Sequence, residues 1–302
     1  MEINIYELTA EEQAFLPSEE DVAFYRKHGW YISKKIYSDE EIDKAIWGSE
    51  RHYAGERDAK LPVPLKPFED WTQEQGDCLR INDYIVQLNV QIHELAMKPI
   101  LGSIASRLSG SDQMRLFHSS LLYKPPDNNP ARTTIGWHYD RAYWVTCTSD
   151  DMLTAWIPLH DCDESMGTIT MIDGSHLWAK DESPDRLHSH FVNSDVKELD
   201  RRLISKSRGK PIHKIPMNLK KGQVSFHHCL TFHGSAQNQS SNPRIAIALH
   251  LQDRNNRYRV HKLKNGKVHV YNNDLMCRKL DDGSPDYADP VFCPVIWEGN
   301  PL

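Results

Sequence analysis

The chain has 302 residues, 39% hydrophobic and 26% charged, the composition of a folded globular protein with material for one large domain or two small ones. Its formal net charge of −6 gives no basic footprint for displacing phosphate counterions, which argues against nucleic acid as a partner. No apolar run approaches the roughly 20 residues that cross a bilayer. Met1 to Glu20 is acidic, with neither a basic start nor an apolar core, so it does not read as a targeting peptide. Six cysteines are scattered without a C-x-x-C pair, as expected of reduced, buried thiols in a cytoplasmic protein.

In chain order, Ser18 is placed to cap a helix that Gly29 stops, and Trp30 to Tyr37 leads as a short strand into Ser38-Asp39-Glu40-Glu41, a capping box opening a second helix through Trp47. From Tyr84 to Leu108 apolar residues recur at three and four, predicting helical segments broken near Pro99. Residues 1–113 are thus expected to be mainly helical. After that the texture changes to short β-rich runs, Met114 to Tyr123, Leu153 to Leu159, Thr168 to Ile172, Gln223 to His227 and Ile245 to Leu251, separated by Pro, Asn, Asp and Gly clusters. This predicts an antiparallel barrel or jelly roll over 114–260, interrupted by a charged insert at 178–215 and followed by a C-terminal extension, 261–302, all within a single domain.

The chemistry concentrates in Gly136-Trp137-His138-Tyr139-Asp140. Alternate residues of an extended chain point to one side, so the His138 imidazole and the Asp140 carboxylate can converge on one ion. The best third ligand is His233, with His227 and His228 as alternatives should the register differ, while His176 in Gly-Ser-His suits a turn. Two histidines and a carboxylate leave half an octahedron free, as iron(II) oxygenases require, although a zinc hydrolase or isomerase uses similar donors. Arg244, eleven residues after His233, tilts the choice toward iron because a guanidinium there can clamp a dicarboxylate. The competing reading of Arg244 is a surface strand arginine after the Asn242-Pro243 turn.

The ordered set Lys124-Pro125-Pro126, His138-x-Asp140, Trp156, Gly174-Ser175-His176, His233-Gly234-Ser235 and Arg244 resembles the phytanoyl-CoA dioxygenase family over nearly the whole chain. The resemblance implies a mainly β fold with α: a double-stranded β-helix of the cupin-like, jelly-roll kind, with the N-terminal helices packed on one sheet. It implies Fe(II) at His138, Asp140 and His233, 2-oxoglutarate with its distal carboxylate on Arg244, dioxygen as co-substrate, and release of succinate and CO2. Ser235 and Trp156 match positions lining that pocket, and His118 matches a polar position facing the cosubstrate. Because Asp140 retains the ligand carboxylate, halogenation is disfavoured. The expected reaction is hydroxylation of a small, polar, perhaps anionic metabolite in a biosynthetic pathway, with Tyr139, Arg141, Tyr143 and Trp144 as candidate substrate contacts; a solvated charged loop is the competing reading. A metal-binding barrel that senses a ligand without turnover is a further alternative. The sequence leaves oligomeric state open.

Overall fold

The computed structural model describes residues 6–64, 71, 75–127, 129–178 and 196–300. Among the described residues the strands are β1 Trp30–Ile32, β2 Arg80–Asp83, β3 Gln113–Lys124, β4 Ile135–His138, β5 Leu153–Pro158, β6 Ile169–Ile172, β7 Lys214–Pro216, β8 Ser225–His228, β9 His233–Ser235, β10 Arg244–Asp253 and β11 Val295–Glu298. A larger sheet runs β1-β8-β5-β10-β3-β11, with β2 also on β3, and a smaller one runs β4-β9-β6-β7. Every pairing is antiparallel. Trp156, Ala246 and Ala248 of the larger sheet share one apolar cluster with Ile169 and Met171 of the smaller, so the sheets face each other as a jelly roll.

The two-residue period of a strand decides which side chains enter the barrel. On β10, Ile247 and Leu249 join the outer cluster, where Leu95, Ile100, Leu101 and Ile104 of the N-terminal helices cover the larger sheet. Arg244, Ala246, Ala248 and His250 have the opposite parity. On β8 the same rule sends Phe226 outward and leaves Ser225 and His227 inside.

The helices follow their sequence cues. Ser18 caps Glu19–His28 through a capping box with Asp21, and Gly29 closes it in the left-handed region at φ 79°. Ser38 and Glu41 open Asp39–Tyr53, which runs six residues past Trp47 because Ala45, Gly48, Ser49 and His52 continue its buried face. The segment ending near Leu108 divides into Ile85–Leu88, Val90–Ala96 and Pro99–Ser109, with Pro99 in the first turn of the last.

In the charged insert the helix Val196–Ser207 docks on β4, where Trp137 Nε1 donates to Asp200 Oδ1 at 2.8 Å; residues 179–195 lie outside the described residues. The C-terminal extension supplies β11 to the edge of β3. All six cysteines are free, and every one but Cys78 is buried. No helix among the described residues is long and apolar enough to cross a membrane.

Two caps test how burial sets a residue's worth. Ser38 caps at the surface, whereas Asn89 is buried, accepts from Ile92 N at 3.0 Å and donates to Gly48 O at 2.9 Å. Ser38→Ala is expected to cost about 1 kcal/mol. Asn89→Ala also leaves the buried Ile92 N–H without its acceptor, so urea unfolding should show a loss of about 2–4 kcal/mol; equal losses for the two would contradict this account.

Candidate active site

His138 ends β4 and His233 begins β9, and the two are register partners. A one-residue irregularity between Ile135 and His138 brings them opposite each other, and the backbones approach so closely that a Cβ on Gly234 would stand 2.8 Å from Ile135 O. Tyr139 stays extended at φ −130° and ψ 141°, so Asp140 returns to the side of His138. The ligand-type atoms of His138, Asp140 and His233 lie within 4.8 Å of one another, all three residues are buried, and among the described residues no fourth such donor joins them.

Each group is oriented from behind. His138 Nδ1 bonds to Gly136 O at 2.8 Å and His233 Nδ1 to Thr231 O at 3.0 Å, so each turns Nε2 toward the centre. Those Nε2 atoms lie 4.0 and 3.5 Å from Asp140 Oδ1. The other oxygen, Oδ2, accepts from Thr154 Oγ1, meets His227 Nε2 at 3.2 Å and lies 3.6 Å from His250 Nδ1.

Burial by itself would raise the Asp140 pKa, but His233, His250 and His227 hold the carboxyl well below the usual range. Burial lowers both imidazoles, His233 strongly, with His138 adding to the effect there. Neutral imidazoles beside an ionised carboxylate form a donor set ready for a divalent cation at neutral pH.

A second polar group occupies the inner end of β3 and β10, where Lys124 and Arg244 are register partners. Lys124 Nζ donates to Ser235 Oγ at 2.7 Å and to the carbonyl of Ala236. Arg244 donates to Gly167 O at 2.6 Å, its Cζ lies 5.5 Å from the centroid of the Trp156 ring, and its buried Nε has no partner. Burial pushes Arg244 down to about 10 and Lys124 well below its ordinary value, in the latter case with help from Arg244. Neither cation has a carboxylate partner among the described residues, an arrangement suited to a buried anion.

Other expected site residues fall in different places. Ser235 and Trp156 stand beside the two cations, while His118 lies on β3 with Nε2 3.1 Å from Asp83 Oδ1. Tyr143 sets its ring edge toward His138 at 5.9 Å and Trp144 toward His250 at 4.8 Å. Tyr139 points away, packing on Phe232 at 5.0 Å, because it has the opposite parity to His138 and Asp140 on either side. Arg141 ties its own loop together, donating to Asp150, to Ser149 O and Cys147 O, and to the Trp144 carbonyl. That use of its donors removes the basis for expecting it to receive an anionic substrate.

His228 accepts from Leu230 N at 3.1 Å, and His176 bonds Arg26 O at 3.0 Å in its turn, so neither faces the centre. His227 stands behind Asp140. Residues given no role from sequence were Lys124, Thr154, His250 and Asp83. Strand parity carried the missing information: Lys124 shares the face of His118, and His250 that of Arg244.

The model of the family described as phytanoyl-CoA dioxygenase (PhyH) matches residues 25–246. The chain belongs to this family, and membership identifies it as a dioxygenase. It is 22% identical over 250 residues to the peroxisomal phytanoyl-CoA dioxygenase of Bos taurus, covering 78% of this chain and 68% of that protein. The match thus spans about two thirds of the relative's length.

Among solved structures, the non-heme alpha ketoglutarate dependent carbocyclase SnoK from nogalamycin biosynthesis superposes with a TM-score of 0.65 at 24% identity, covering 92% of this chain and 96% of SnoK. EctD from S. alaskensis, solved with 2-oxoglutarate and 5-hydroxyectoine, gives 0.60 at 21% identity over 84% and 81% of the respective chains. These likenesses establish the jelly-roll fold.

The divided roles of the histidines predict a graded mutational series. After loading with Fe(II) and desalting, His233→Ala should retain no stoichiometric metal and His228→Ala should retain it as the parent does. His227→Ala should bind about 10–100-fold more weakly, because it removes a support of a donor rather than a donor. Metal loss in His228→Ala with retention in His233→Ala would relocate the centre.

Proposed function

We propose that the chain is an Fe(II)- and 2-oxoglutarate-dependent oxygenase in which His138, Asp140 and His233 hold the metal, and that it hydroxylates an unactivated C–H of a small polar metabolite. The observation that carries this reading is the pairing of a three-donor cluster with two buried cations lacking counter-charges. The orphaned Arg244 Nε and the adjacent Lys124 fit the far carboxylate of a dicarboxylic cosubstrate. A zinc hydrolase built on the same three donors would need two such cations only for an anionic substrate. The 2-oxoglutarate in EctD, and the ketoglutarate dependence of SnoK and of a Stutzerimonas stutzeri protein described as a probable hypophosphite dioxygenase, support the same cosubstrate here.

When bound, iron, 2-oxoglutarate and dioxygen supply the oxidising power, with succinate and CO2 as co-products. The chain's own residues supply position. Gly136 O and Thr231 O fix the two imidazoles, while Thr154 and His227 hold one carboxylate oxygen so that the other faces the metal. Arg244 and Lys124 fix the cosubstrate's far end, and Trp156 closes the space against Arg244. Tyr143 and Trp144 flank the histidines on the side left for substrate.

Iron-dependent succinate release from 2-oxoglutarate tests the reading directly. Arg244→Leu should raise the 2-oxoglutarate KM by about a hundredfold, in line with losing a buried charge-assisted pair. Lys124→Met should act in the same direction. An unchanged KM in both variants, or no succinate from the iron-loaded parent, would overturn the assignment.

A further inference from the structure

Asp83 has a carboxylate that the proposed chemistry leaves unused. It ends β2 opposite Ser120, and its two described contacts fall on a single oxygen: Oδ1 accepts from Ser120 Oγ at 2.7 Å and lies 3.1 Å from His118 Nε2. Oδ2 is left for another donor. The side chain is only 15% exposed. His118 stacks on His250 with ring centroids 5.7 Å apart, and His250 Nδ1 is 3.6 Å from Asp140, so Asp83 stands two imidazoles away from the candidate metal ligand. The Tyr271 ring meets His118 edge-on at 5.7 Å, giving this side of the interior an aromatic wall.

The backbone fixes Asp83 at a cost. Tyr84, the next residue, sits at φ 59° and ψ 29°, a left-handed conformation strained for a bulky side chain; among the described residues only Arg208 is another non-glycine with positive φ. Tyr84 is held there by complete burial, by donation from Oη to Asn273 Oδ1 at 2.7 Å and by its N–H to Ser119 O at 2.7 Å. The strand thus stops at Asp83 and turns at once into Ile85–Leu88.

Burial by itself would raise the Asp83 pKa, but His118 and Ser120 outweigh it and keep the group ionised at neutral pH. The His118 imidazole already stands at Oδ1, while Oδ2 keeps acceptor capacity that a cationic group of a ligand can use.

We propose that Asp83 sets substrate specificity, its Oδ2 receiving a protonated amine or quaternary ammonium group of the substrate against the Tyr271 side of the cavity. This deepens the oxygenase reading and rests on it. It also reverses the sign expected from Arg141: the charge offered to the substrate is negative.

The test uses the full chain loaded with Mn(II) and 2-oxoglutarate, and follows its melting temperature with n-butylamine beside n-butanol and with choline beside dimethylbutanol, its carbon isostere. In the parent each cation should stabilise more than its neutral partner. In Asp83→Asn that preference should disappear, with the apparent affinity for the cations falling about tenfold. Asp83→Glu should keep the sign of the preference.

Equal stabilisation by cation and isostere in the parent, no stabilisation by either cation, or a preference that survives Asp83→Asn would each overturn the proposal. The parent comparison decides the matter even if Asp83→Asn does not fold. Failure of the oxygenase reading shows separately, as a parent that neither melts higher with Mn(II) and 2-oxoglutarate nor releases succinate with iron.

Discussion

The site is organised around one buried carboxylate whose two oxygens do different work. Asp140 Oδ1 faces the imidazoles of His138 and His233, while Oδ2 is held by Thr154, His227 and, at longer range, His250. A buried charge is tolerated only when its hydrogen-bonding capacity is met, and here the groups that meet it come from β5, β8 and β10 of the larger sheet. The two imidazoles come from β4 and β9 of the smaller sheet. Asp140 therefore joins the two sheets at the point where the chemistry lies, and the geometry of the centre depends on how the sheets are spaced.

The opposite end of the interior poses the complementary electrostatic problem. Lys124 and Arg244 lie side by side on paired strands with no counter-charge among the described residues; burial lowers the proton affinity of both, and Arg244 lowers that of Lys124 further. Within a fold that is otherwise well satisfied, this is a local conflict of the kind that marks a binding function. An anion bound beside the two cations would relieve it, as the far carboxylate of the cosubstrate proposed above would. Ala246 and Ala248 lie on the same face between Arg244 and His250, in the apolar cluster that includes Trp156 and Met171.

Much of this was legible in the sequence, for physical reasons that differ by element. The capping boxes at Ser18 and Ser38 are local hydrogen-bond patterns, so the helix starts could be read off directly. The long strands β3, β5 and β10 announced themselves by apolar runs. Two short ones did not: β4 and β9 are four and three residues long, and their pairing arises from contact between segments almost a hundred positions apart. His138, Asp140 and His233, which the fold brings together, and Arg244 stood out in the sequence because their spacing is itself a motif. Lys124 was visible in the same motif yet had no assigned task, since only the β3–β10 register sets it beside Arg244. Arg141 misled because its charge is plain in the sequence, whereas the carbonyls of Ser149, Trp144 and Cys147 that engage it are defined only once the loop closes.

The same two-residue period separates stability from chemistry along each strand of the larger sheet. On β3, Leu116 and Leu121 belong to the outer apolar cluster under the helices, while His118, Ser120 and Lys124 face the interior. The register change between His250 and Leu251 skips Phe117, which leaves the ladder and packs instead with Trp144, Tyr271 and Tyr287. That bulge lets the C-terminal segment, through Tyr271 and Asn273, reach the edge of the site. A polar interior of this kind cannot drive folding, so the outer face and its helices must supply the apolar burial for both. Substrate preference can then change through inward residues such as Asp83 and Ser120 while the outward half of each strand, and with it the fold, stays the same.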